Sequence, residues 1–211
     1  ELDNLLALLE DRDEETLNIV RDRTFALGWK AVDYFFSNLY VVTEPSRRAF
    51  VLERIRQMSS MLAFKQMLDL MLQGPDFYVP DGMYFLTRML EPELTPEIFR
   101  GFYEEMAGSL VCELRDTMTA VEKAEMLNYI MYDKYGFSVS TPSEEEDEPD
   151  VLLPRLLKRR RGGTVGLSCV YFLLASYAWL PVYPIFPKTP GYFVGWIEQD
   201  RSLFTIDVGN H

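Results

Sequence analysis

The residues whose types and order could support chemistry lie in one run, Arg159-Arg160-Arg161-Gly162-Gly163-Thr164-Val165-Gly166-Leu167-Ser168-Cys169. A basic helix end, a glycine turn and a new apolar helix follow one another there. Such a turn aims several unpaired backbone N–H groups at one point, and the positive end of the helix dipole favours an anion or a thiolate beside them. A cysteine on the first helical turn would therefore ionise more easily than usual. Cys169 stands one turn too late for that. A small apolar residue buried on a packed helix is the simpler expectation for it. The sharper alternative is a displaced nucleophile served by Asp207 and by His211, the single histidine of the chain.

Composition narrows the classes of function. Among 211 residues, 33 acidic side chains outnumber 21 basic ones and leave a net charge of −12, which argues against a general nucleic-acid binder and against a protein drawn to anionic lipid. The one basic cluster, Lys158 to Arg161, reads as cations stabilising the last turn of a helix before Gly162. Cys112 and Cys169 are far apart and form no zinc-ligand spacing, so neither a metal site nor a disulfide framework is expected, and no cofactor is implied. A reducing cytoplasm is the expected location. No apolar run reaches the roughly 20 residues of a membrane span, because Val165 to Pro187 is interrupted by Ser176, Pro181 and Pro184. The chain opens at Glu1, which suggests trimming or processing.

The elements that must position this run divide in two. Leu2, Leu5, Leu6 and Leu9 recur at helical spacing, and Asp13 N-caps a second helix that carries Leu17, Val20 and Leu27 to Gly28. A third helix is expected over 30–40 and a fourth over 47–61, with 64–73 continuing helical. The pattern Leu5-Leu6-Ala7-Leu8-Leu9-Glu10-Asp11-Arg12-Asp13 with Ala26-Leu27-Gly28 resembles a HEAT-type repeat, which implies stacked helical pairs over the expected domain 1–73. The second expected domain, 74–211, holds helices over 81–136, an acidic loop over 138–150 and an α+β core over 151–211. The three helices are expected over 81–90, 96–114 and 120–135. Glu144, Glu145, Glu146, Asp147, Glu148 and Asp150 lack the alternation of a calcium loop, so that run reads as a solvated loop. In the core, a helix over 152–157, a nearly all-apolar buried helix over 167–177 and strands over 182–186, 192–198 and 203–207 predict a helix packed on an antiparallel meander.

The collinear order Leu127-Asn128-Tyr129-Ile130-Met131-Tyr132, Tyr135-Gly136-Phe137, Leu156 to Gly162, Tyr171, Ala175, Leu180-Pro181, Pro190-Gly191-Tyr192-Phe193 and Ile206-Asp207 resembles the SirB-type branch of the transglutaminase-like superfamily. The resemblance implies a papain-like α+β core in which catalytic members begin the buried helix with Cys, begin the next strand with His and end the following strand with Asp. It places the nucleophile slot within Thr164 to Gly166, with Gly166 as its degenerate position, the His slot at Tyr192 and the Asp slot at Asp207. Only Asp207 matches. It also implies a natural chain that continues past His211. The function expected is thus a non-catalytic protein- or peptide-binding regulatory module, its cleft lined by Tyr183, Tyr192 and Trp196. The alternative is a cysteine hydrolase or acyltransferase using Cys169. A protein or peptide partner is expected; the sequence leaves oligomeric state open.

Overall fold

The computed structural model describes residues 1–74, 78–140, 153–185, 193–199 and 201–209. The chain divides into two compact units, one made of residues 1–77 with 84–95 and the other of 78–83 with 96–211. The architecture is α+β, with most described residues helical.

The first unit is built from α1 (Leu2–Leu8), α2 (Glu14–Leu27), α3 (Trp29–Asn38) and α4 (Pro45–Leu72). Asp13 caps α2 as its position predicts, accepting from the Thr16 amide at 2.8 Å. Gly28, at φ 63°, ends α2 and starts α3, a conformation that costs glycine little. Whereas the sequence suggested a fourth helix ending near Met61, α4 is one element of 28 residues, since Leu62 and Ala63 are strong helix formers and nothing there breaks it. Leu6, Leu9, Val32, Phe35, Ile55 and Leu62 form its core. Each contributes on the order of 1.5–3 kcal/mol by leaving water.

Residues 84–95, expected within the second domain, pack in this first unit. The reason is Arg88, on α5 (Val79–Leu90). It is fully buried, pairs with Asp33 at 2.6 Å, places its guanidinium 3.7 Å from the Trp29 ring centroid, and donates to the Tyr84 hydroxyl. A buried guanidinium is stable only when its donors are used in this way.

The second unit contains α6 (Pro96–Gly101), α7 (Glu104–Glu113), α8 (Ala120–Asn128), α9 (Leu153–Arg159) and α10 (Thr164–Tyr177). The single helix expected over 96–114 is two, separated after Gly101, and the buried Tyr103 ring packs edge-on against Phe99 and Tyr177. A capping box opens α8, with Thr119 and Glu122 each accepting the other's amide. Past Asn128 the helix widens into a π-helical turn over Tyr129–Lys134, then stops at Gly136 with φ 71°.

The stop of α9 corrects the sequence reading. The left-handed residue is Arg160, at φ 58°, whose amide bonds back to Leu156, and not a glycine. Chain reversal two residues earlier frees Arg161–Gly162 to form β2, which pairs in parallel with β1 (Ser138–Val139), where only a loop was expected. The acidic run from 141 to 150 lies outside the described residues. A meander of β3 (Val182–Ile185), β4 (Phe193–Glu198) and β5 (Arg201–Ile206) follows α10 in the antiparallel order expected.

Candidate functional site

Strand β5 delivers Asp207 to the start of α10. The proof is Gly209. A Cβ placed there would lie 3.4 Å from Asp207 Oδ1 and 3.4 Å from Thr164 Oγ1, so the carboxylate and the first residue of the helix flank the same glycine. The Gly209 amide donates to Asp207 Oδ1 at 3.0 Å, which folds the chain after the strand into a tight turn. Two of the positions singled out from the sequence, the slot at Thr164 to Gly166 and Asp207, are thus brought together by local strand and helix geometry.

No side chain caps α10, and its first intrahelical bond runs from Leu167 to the Gly163 carbonyl. The helix therefore supplies no acceptor for the amides of Thr164, Val165 and Gly166. This end has the polarity that would lower the pKa of a thiol placed on it. The side chains there are a hydroxyl, an exposed isopropyl and a hydrogen. Ser168, one turn further, donates to the Thr164 carbonyl at 2.8 Å.

Of two buried tyrosines nearby, Tyr132 supports the Asp207 turn and Tyr171 ties α10 to α8. Tyr132, on the π-helical turn, donates to the Val208 carbonyl at 2.8 Å. Tyr171, on α10, donates to Asn128 Oδ1 at 3.0 Å. Burial pushes both phenols far above the ordinary tyrosine range, and the negative charge of Asp207 adds to the effect at Tyr132. Neither is poised as a base near neutral pH. No spacing in the sequence signals the Tyr132 contact, since the partners are 76 positions apart.

Cys169 departs from the expectation of a buried packing residue. It is exposed, on the same line of α10 as the half-exposed Val165, four residues earlier. It stands five positions after Thr164, about 140° around the helix and about 7.5 Å along it, beyond the first turn beside which Asp207 is held. Surrounding protein mass pushes its thiol up from the ordinary value, opposite to the shift a nucleophile needs. Cys112 is also exposed and unpaired with another cysteine.

The residues expected to line a cleft are dispersed. Val182 pairs with Trp196 and Tyr183 with Gly195, so the pleat puts Tyr183 and Trp196 on opposite faces of the sheet. Trp196 is 1% exposed, stacks on Phe204, and donates from Nε1 to Glu198 at 2.6 Å. It is part of the sheet core. Tyr183 is half-exposed on the outer face. Tyr192 and His211 lie outside the described residues. Among the described residues no three His, Cys, Asp or Glu side chains gather as metal ligands. No helix among them is long and apolar enough to cross a membrane.

Residues 100–211 match a family model described as the transglutaminase-like superfamily. No curated protein and no solved structure matches the chain.

Proposed function

Since more than half of its length matches that family model, the chain belongs to the transglutaminase-like superfamily, and we propose that it is a non-catalytic member acting as a protein- or peptide-binding regulatory module. The observation that carries this reading is the start of α10. There Asp207 is held beside Thr164 through the Gly209 turn, while the three residues at the helix entry hold no thiol. A hydroxyl on a helix N-terminus lacks the low pKa that makes a thiolate nucleophilic without a strong base, so this helix entry is suited to holding a ligand's polar groups rather than to attacking it.

The collinear segments from Leu127 to Asp207 support placement in the SirB-type branch, and the paired helices of the first unit support a HEAT-like reading of residues 1–73. The cytoplasm remains the compartment that two unpaired cysteines favour. The test is a screen of peptide libraries by native mass spectrometry, with Asp207→Asn and Val165→Arg as controls. Binding lost in both variants, with no covalent adduct, is the expected outcome. Turnover of an acyl substrate would contradict it.

A second reading, a cysteine hydrolase using Cys169, draws on one observation, the exposure of that residue. Mass-spectrometric trapping of an acyl group on Cys169 is the result it requires.

A further inference from the structure

After Ala63, none of the residues 64–72 at the end of α4 is buried, although Phe64, Met67, Leu68, Leu70, Met71 and Leu72 are all apolar. The most exposed of them follow one line. Met61, Phe64, Leu68 and Met71 repeat at intervals of three, four and three, and with Leu72 they form a stripe about 100° wide on the face opposite the core residues Ile55, Ser59 and Ala63. Leu72 is 84% exposed. Over 51–60 of α4 the exposed positions are polar, at Glu53, Arg56 and Gln57, and Phe50 before them is exposed but lies under the Arg54 guanidinium, 3.9 Å from its ring centroid, so the continuous apolar stripe begins at Met61. Helix α5 extends the patch with exposed Leu86 and Leu90. Ser60 donates to the Met89 carbonyl at 3.0 Å, and Met61 and Leu90 line one groove, so the two surfaces are continuous.

We propose that this stripe is the interface of a two-fold dimer, in which the end of α4 packs antiparallel against the same segment of a second copy. The 3-4-3 spacing is that of a helix-pairing seam. In an antiparallel pair centred on Gln66, Met61 layers with Met71 of the other copy and Phe64 with its Leu68, while Leu72 falls level with Ser60 at the end of the seam. Gln66 itself faces the core, bonding Trp29 Nε1 at 3.0 Å, and leaves the seam unobstructed. Lys65 and Asp69 border the stripe on one side, both exposed. The two-fold brings each Lys65 toward the other copy's Asp69, so the flank is self-complementary in charge. The exposed apolar surface of α4 with Leu86 and Leu90 is on the order of 700 Å² per copy, close to the roughly 800 Å² per partner of a stable interface.

Sedimentation equilibrium on the whole chain, from about 1 to 100 μM, tests this. Twice the chain mass is expected. Leu68→Glu should raise the dissociation constant at least about 100-fold. Lys65→Glu should raise it about tenfold, and Lys65→Asp combined with Asp69→Lys should return it to within about threefold of the wild type. Circular dichroism and unfolding midpoints of the variants, taken at dilutions where the wild type is monomeric, establish that they fold. A wild-type monomer at 100 μM, or a dimer that Leu68→Glu leaves intact, overturns the proposal. An unrepaired charge swap overturns the antiparallel register.

Discussion

The hydroxyl of Tyr132 donates to the carbonyl of Val208 at 2.8 Å, and the bond ties the π-helical turn to the residue that follows Asp207. Both groups are buried, so the contact fixes where the carboxylate sits relative to the start of α10. Tyr132→Phe keeps the ring and leaves the carbonyl unsatisfied. It should cost about 1–2 kcal/mol of stability. Amide exchange at Gly209, whose N–H bonds to Asp207, should accelerate in the same variant; an unchanged exchange rate would show that the turn stands without Tyr132.

Alkaline stability follows from the same phenols. Tyr103, Tyr132 and Tyr171 have folded-state pKa values raised by burial, so at high pH the unfolded chain releases protons that the folded chain retains. Their contribution is complete below the ordinary tyrosine value of about 10 and is lost as pH rises through the higher folded values. Urea midpoints should vary little from pH 7 to about 8, begin to decline as the Cys169 thiol, also raised, enters its range, and fall steeply above about 10. In Tyr132→Phe the fall should be shallower, because one of the linked groups is gone.

Trp196 and Tyr183 should respond oppositely to truncation. Trp196→Ala removes a buried ring stacked on Phe204 and should cost about 3–5 kcal/mol. Tyr183→Ala, on the outer face, should stay within about 0.5 kcal/mol. Equal effects in thermal unfolding would mean that the two side chains share a face after all.

Asp13 offers an acid-limb check. The Thr16 amide and hydroxyl hold its carboxyl below the ordinary value, so the cap stabilises above the unfolded pKa and is lost as pH falls through the folded one. The stability difference between the wild type and Asp13→Ala should be constant near neutrality and should shrink as pH drops below about 4.

What was legible in the sequence was local. Asp13 before Thr16, Gly28 after Leu27, and three β-rich runs in order each carry their signal within a few residues, and each appears where expected. Arg160 was not legible, because a non-glycine in the left-handed region is selected by what it permits next, here the pairing of Arg161–Gly162 with Ser138–Val139. The stretch 84–95 moved for a similar reason. Its place is decided by Arg88 meeting Asp33, 55 positions away, and helical periodicity is blind to such a pair. In the site, β5 brings Asp207 to the helix start, whereas the exposure of Cys169 depends on which line of an almost uniformly apolar helix lacks a neighbour. Periodicity cannot choose a face when nearly every position is apolar.

On the proposed reading, the helix entry drives no thiol chemistry. The direct measurement is the alkylation rate of Cys169 and Cys112 in the native protein from about pH 5 to 9, followed by mass spectrometry, because only the thiolate reacts. The account predicts that Cys169 labels no faster than Cys112 at about pH 6 and gains speed only as pH climbs to the ordinary thiol range or beyond. Rapid, selective labelling of Cys169 at about pH 6 would contradict it and put the cysteine hydrolase first.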